Sequence, residues 1–397
     1  MNFSVLRFAH APAKAGAYKL LMTIGARFSR RVREAQGRSH LITCVIIGVR
    51  PFSGNMLKTT ITGSLPRPAW LAEPGKHQYR SWSIPSEHIS EAHDDAVRLA
   101  IADQEEAGLD IVTDGEQRRR HYIWGFIEGL TGIDTVNLGK KQTRGGRYKK
   151  EPIDVARIVG DVTRPSPVLV DGLRFLIRHT RKPVKVTLPG PMTIVDSVLD
   201  EHYKEEERGL ARRFADILNQ EARELAAAGA DIIQFDEPCF NIYVEKVAEW
   251  GIAMLERCIE GVNTTTAVHI CYGYGIPVTL AWKSQNRDWG HYGLTLPLLA
   301  GSGIHQVSVE CAASGVDISV ISALKGKDVM MGVIDVGIDE VETPTLVASR
   351  IRKALPHIAP DRLYPCTDCG MAPRPRNVAR GKMQALAEGA AIVRKEL

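Results

Sequence analysis

The chain has 397 residues, a formal net charge of +5 and 44% hydrophobic residues, an ordinary balance for a globular protein. That length suits two domains or one large α/β barrel. The apolar run 41–49, "LITCVIIGV", is about half of what a bilayer-crossing helix needs, so no membrane span is expected.

The charge is uneven. Residues 1–55 hold nine Lys or Arg and one acid, Glu34, a charge of +8, so the remaining residues carry −3. A mildly acidic body has no nucleic-acid footprint. The basic segment reads as an organelle transit peptide, as sequence upstream of a start at Met56, or as a disordered tail. Seven cysteines, an odd number, and no convincing secretory signal argue against a disulfide framework and for a reduced, cytoplasmic setting.

From Met56 onward, short apolar and β-branched runs each end in a polar or Gly-rich turn. Eight are expected as strands: 59–65, 110–116, 184–190, 231–238, 265–273, 304–311, 329–335 and 363–370. Most are near-continuous apolar runs, the mark of parallel strands buried on both faces. Helical spacing lies between them at 86–108, 206–230, 342–358 and 374–397. Ser86 reads as an N-cap and Gly108 as a stop for the first. This alternation gives the expected fold class: α/β, a single (β/α)₈ TIM barrel over 56–397 with a poorly structured extension at 1–55. A doubly wound sheet is the rival, but no G-x-G-x-x-G follows the first strand. The stretch 138–152, "LGKKQTRGGRYKKEP", is basic and poor in apolar residues, and is expected to be a flexible excursion.

Barrel chemistry gathers at the carboxyl ends of strands. Here those ends carry Asp114-Gly115-Glu116, Asp236-Glu237-Pro238, His269-x-Cys271, Glu310-Cys311 and Cys366-x-x-Cys369. Residues two apart on a strand share a face, so His269 and Cys271 can share one ion. With Glu310 and Cys369 they form a mixed N/S/O set that suits Zn²⁺. Cys311 should point away into packing. Cys239 and Cys258 read as structural, and the role of Cys366 is open. Glu116, Asp236 and Glu237 are expected to hold a cationic group such as an amino acid's ammonium. A zinc–thiolate centre beside an ammonium site fits an amino-thiol substrate.

The stretches "TTITGSLPRP", "DGEQRR", "LPGPMTI", "QFDEP", "HICYG", "VSVE" and "TDCGM" resemble the catalytic domain of cobalamin-independent methionine synthase, in family order across 59–371. The resemblance implies a zinc (β/α)₈ barrel that methylates L-homocysteine to methionine. It implies His269, Cys271, Glu310 and Cys369 as zinc ligands, and homocysteine contacts at Gly63, Ser64, Glu116 and Asp236. Two features depart from the long folate-using enzymes. Ser197 stands where those carry a Trp against the pterin, and Gly337 where they carry a proton-donating His. No duplicated N-terminal barrel is present in this sequence. The chain therefore looks like the short, folate-independent methionine synthases, with a corrinoid or a partner protein as methyl source. Lys140, Lys141, Lys149 and Lys150 offer a docking surface for an acidic carrier. The alternatives are a zinc alkyltransferase acting on another thiol, such as coenzyme M, and a non-catalytic redox or structural-zinc protein using Cys366 and Cys369.

Overall fold

The computed structural model describes residues 56–75, 81–146, 151–273, 281 and 290–397. The segment 1–55, with Cys44, lies outside the described residues, as do Lys149 and Lys150.

Six parallel strands form the main sheet: β3 (Lys185–Pro189), β5 (Ile232–Asp236), β6 (Thr265–Ile270), β7 (Gln306–Val309), β8 (Asp328–Ile334) and β9 (Leu363–Thr367), in that spatial order. Five fall inside an expected run, and β8 starts one residue before its run of 329–335. The other two expected strands, 59–65 and 110–116, are extended segments outside the regular ladder. Val112 makes a single parallel bridge with Val184. Thr59 O accepts from Asp110 N and Ile111 N, both at 3.1 Å, and Thr60 N donates to Pro365 O at 3.3 Å. These bonds link β9 through 59–62 and 110–112 to β3, an order compatible with a closed ring of eight. Side chains interrupt the ladder here. Asp110 Oδ2 takes the Thr59 N–H at 2.8 Å, and Thr367 Oγ1 takes the Thr62 N–H at 3.0 Å. Short Thr and Asp side chains compete in this way for backbone donors.

The strands alternate with period two. Ile233, Phe235, Val268, Ile270, Val307, Val309, Val329 and Met331 join the large core that includes the helices. Ile232, Ala267, Met330, Tyr364 and Cys366, with Ile111, form a separate small cluster from the opposite face. That second face continues toward the carboxyl ends as Gln234 and Asp236, His269 and Cys271, and Ser308 and Glu310. The register places Asp236 opposite His269, and His269 opposite Ser308.

Helices cover the outer face: α1 (Ile89–Glu106), α2 (Val170–His179), α3 (Pro191–Asp196), α4 (Glu207–Ala227), α5 (Ile252–Ile259), α6 (His291–Ala300), α7 (Pro344–Ala354) and α8 (Arg376–Arg394). The four expected helices correspond to α1, α4, α7 and α8. In α4, Leu210, Ala211, Phe214, Leu218, Ala222 and Leu225 make the buried stripe, with the three-and-four spacing of a helix against a core. Ser86 does not cap α1, which begins three residues later without a side-chain cap. Thr343 does cap α7, accepting from Leu346 N, with Pro344 at the first helical position. Among the described residues no helix is long and apolar enough to cross a membrane.

The described residues of the excursion include strand rather than loop alone. β1 (Thr131–Lys141) and β2 (Ile153–Thr163) pair antiparallel, and β2 pairs in parallel with β4 (Val198–Asp200). Val155, Ala156 and Ile158 supply the buried side of β2. Lys141 is part of this structure. Its Nζ donates to Val195 O at 2.7 Å and Val198 O at 2.8 Å, so it is not a docking cation. Lys140 is exposed and paired with Asp154 at 2.8 Å.

Candidate metal centre and substrate rim

β6 ends at the rim, and its alternation puts His269 and Cys271 on one side. Cys369 arrives two residues after β9. One ligand atom from each of these three residues lies within 4.8 Å of the others. The Cys271 and Cys369 sulfurs are 3.7 Å apart, too far for a disulfide. Ser308 Oγ lies 2.8 Å from His269 Nδ1, which fixes the ring and leaves Nε2 as its outward atom. Nε2 is buried with no nitrogen or oxygen partner, and the Cys271 sulfur is the polar group beside it. A buried imidazole nitrogen without a partner is costly. One imidazole and two thiols are a donor set for a soft or borderline metal ion, so the residues present fit such an ion.

Glu310 follows β7 and is wholly buried. It stands outside the group of three. Its Oε2 accepts from Tyr272 N at 3.1 Å, and its own N–H donates to Tyr292 Oη at 2.9 Å. Asp368 ties the Cys369 segment to the one that follows Glu310. Its carboxylate accepts from Cys311 N, Ala312 N and Ala313 N at 2.8–2.9 Å. Burial nonetheless raises its pKa to about 6. The sequence signal for Asp368 was only its place beside Cys369.

The carboxylates separate by role. Asp236 ends β5 on the inner face. Burial raises its pKa to about 7, although Gln234 Nε2 donates to its Oδ1 at 2.8 Å. Glu116 sits in the left-handed region at φ 57°, an uncommon conformation for a non-glycine residue. Thr187 Oγ1 donates to its Oε1 at 2.8 Å, and Arg119 Nη1 lies 3.8 Å from the same oxygen. A Cβ on Gly63 would lie 2.7 Å from Glu116 Oε1 and 2.9 Å from Thr187 Cγ2, so glycine is required for that approach. Ser64 packs on the Cys369 loop. Its carbonyl accepts from Met371 N at 2.8 Å, and a Cβ on Gly370 would meet its Oγ at 2.1 Å.

Glu237 is not part of a cation site. It faces the other way and caps α3, accepting from Met192 N at 2.9 Å, Thr193 N at 3.0 Å and Thr193 Oγ1 at 2.7 Å. Cys366 and Cys369 also part company. Cys366 lies in the small inner cluster, donates to Thr367 O at 3.3 Å, and has its thiol pushed up to about 12 by burial. Cys239, Cys258 and Cys311 are buried in the large core.

A cluster around Asp196 has no counterpart among the residues singled out from the sequence. Arg144, between β1 and β2, has φ 54°, and its Nη1 bonds Asp196 Oδ2 at 2.5 Å. Tyr243 Oη donates to Asp196 Oδ1 at 2.6 Å, and Arg144 Nη2 reaches Tyr122 Oη at 3.2 Å. Asp196 immediately precedes Ser197. The only signal was the pair of glycines after Arg144, which permit the turn.

The fold and rim together define the class: a parallel α/β protein with a thiol–imidazole group, suited to a metal ion, at the carboxyl ends of its strands. The family described as "Cobalamin-independent synthase, Catalytic domain" matches residues 57–285 and 292–391. A methionine synthase of Sulfurisphaera tokodaii is 32% identical over 346 residues, covering 86% of this chain and 94% of its own. That of Saccharolobus solfataricus is 31% identical over 348 residues, covering 86% and 96%. A solved B12-independent methionine synthase from Shewanella sp. W3-18-1, in complex with selenomethionine, is 47% identical with a TM-score of 0.82, covering 86% of this chain and 98% of its own. The chain belongs to the cobalamin-independent methionine synthase family and is a methyltransferase of the methionine synthase type.

Proposed function

We propose that the chain transfers a methyl group to the thiolate of L-homocysteine at a zinc ion held by His269, Cys271, Cys369 and Glu310, and that the donor is not a folate. The observation that carries the zinc reading is the buried Nε2 of His269, with no nitrogen or oxygen partner, beside two thiols. Glu310 is proposed as the fourth ligand because it belongs to the same inner face as Ser308, two residues on. A bound zinc ion lowers the pKa of a coordinated thiol, so that it stays nucleophilic at neutral pH.

The chain's own residues do the rest. Asp236 and Glu116 take the homocysteine ammonium. Thr187 and Arg119 orient Glu116, and Gly63 leaves room for it. Ser64 borders the substrate against the Cys369 loop. Ser308 holds the His269 ring so that Nε2 faces the centre. The Shewanella relative was solved with selenomethionine, the selenium analogue of the proposed product. Carboxylates facing an ammonium favour an amino acid over coenzyme M, which has a sulfonate and no amine.

The donor reading rests on two side chains. A methyl group on a folate nitrogen leaves well only when that nitrogen is protonated, so an acid must stand beside it. Gly337 offers none; its N–H merely bonds Asp335 Oδ1 at 2.7 Å. Ser197, at the end of α3, offers no stacking face. The family description, cobalamin-independent, weighs against a corrinoid and leaves a partner-borne methyl as the favoured source. The test is methionine formation by the purified protein with methyltetrahydrofolate, its polyglutamates, methylcobalamin and a methyl-loaded partner fraction. Turnover with folate matching the best donor would overturn the donor reading.

A further inference from the structure

We infer that Lys185 and Gln234 form a positioning relay beneath the rim that holds Asp236 ready for the substrate ammonium. The inference rests on the reading of Asp236 as an ammonium partner.

Lys185 is a wholly buried lysine near the start of β3, 1% exposed. Its Nζ donates to Ile61 O at 2.6 Å and to Gln234 Oε1 at 2.8 Å, and lies 3.9 Å from Met330 Sδ. These neighbours are all acceptors, so the site suits an ammonium, which only donates. Gln234 is also wholly buried. Its Nε2 donates to Asp236 Oδ1 at 2.8 Å and to Thr62 O at 3.0 Å.

The direction of this chain of bonds is set by Lys185. An amide side chain can turn over, exchanging oxygen and nitrogen. Here the ammonium demands the oxygen, so the nitrogen must face Asp236. Turned over, the amide would set donor against donor at Lys185 and acceptor against acceptor at both Asp236 and Thr62 O. An N–H aimed at Oδ1 at 2.8 Å fixes the orientation of the carboxylate. The hydrogen bonds of the relay run from Lys185 through Gln234 to Asp236, so the relay is aimed at the ammonium end of the substrate. Nothing in the sequence reading singled out Lys185 or Gln234.

The test uses purified, zinc-loaded protein and two ligands: L-homocysteine and its des-amino analogue, which keeps the thiol and carboxylate. Binding is followed by titration calorimetry, so no methyl donor is needed. Wild type is expected to favour homocysteine, and Asp236→Asn to lose that preference. Lys185→Met and Gln234→Met should each weaken homocysteine binding about tenfold or more, the scale of one hydrogen bond to a charged group. Neither should change zinc content or binding of the des-amino analogue. Should a single variant fail to fold, Lys185→Met/Gln234→Met removes both partners together and leaves neither of them unpaired with the other. It should show the same selective loss, no larger than that of either single change if the two act as one unit. Unchanged homocysteine affinity, or an equal loss for both ligands, would overturn the relay while leaving Asp236 in place. A wild type that does not discriminate the two ligands would instead overturn the ammonium reading, and the relay with it.

Discussion

At the scale of single residues, direction along a strand decides which side chain does what. Asp236 and Glu237 are neighbours in sequence, and sequence alone assigns both to a cation site. The period of two sends Asp236 to the inner face and Glu237 onto the end of α3. The same period made His269 and Cys271 legible as a pair, because residues two apart must share a side. Ser308 follows from the register of β6 and β7 rather than from any motif. Its role leads to a prediction. Ser308→Ala leaves His269 Nδ1 without its partner, and outer-sphere partners of this kind contribute about 10–100-fold in metal affinity. Zinc affinity measured by competition with a chelator should fall by that amount. Cys369→Ser should remove most bound zinc outright, with the far-UV circular dichroism unchanged, because Cys369 sits on a loop after β9. Stoichiometric, tightly held zinc in Cys369→Ser would contradict the ligand set.

At the scale of elements, the six ladder strands were legible because each is buried on both faces and reads as a continuous apolar run. The β1–β2 hairpin was not, because its outer face is solvated. Val136 and Leu138 are exposed, and Gly139, Lys140 and Lys141 follow them. Composition alone reads such a stretch as a loop, and only the pairing partner at 153–163 reveals a strand. Some helix ends were equally illegible, because their caps come from elsewhere in the fold. Glu221, in the middle of α4, accepts from Val168 N at 3.0 Å and Leu169 N at 2.7 Å at the start of α2. It also accepts from Arg164 Nε at 2.5 Å, with both side chains 1% exposed or less. Glu221→Ala therefore strips a buried cation of one partner and leaves two N–H groups unpaired. Removing one member of such a buried pair costs about 3–5 kcal/mol. Urea unfolding should show that loss, with homocysteine and zinc binding retained in the fraction that stays folded. A loss below about 1 kcal/mol, the scale of an exposed pair, would mean that solvent reaches this contact.

At the scale of the molecule, the alternation of strands and helices gave the α/β class. How the two edges of the six-stranded sheet connect depends on 59–62 and 110–112, where Thr and Asp side chains replace ladder bonds. The described chain starts against its own last helix. Leu57 is buried, and its N–H donates to Pro360 O at 3.1 Å. Arg394, at the end of α8, donates to Met56 O at 3.0 Å and Leu57 O at 2.8 Å. The family match begins at residue 57. Among the described residues, the contacts that anchor this end involve Met56 or later residues, and a chain starting at Met56 keeps these. Such a truncation is expected to fold and to keep its homocysteine affinity. Its net charge should fall by the +8 of the basic segment, seen as tighter retention on an anion exchanger. Its melting temperature should move by less than about 2 °C, a shift that in a domain of this size corresponds to roughly 1.5 kcal/mol or less. A larger drop, or recovery only as aggregate, would show that residues 1–55 contribute to the fold, and the domain would then have to be redrawn to include them.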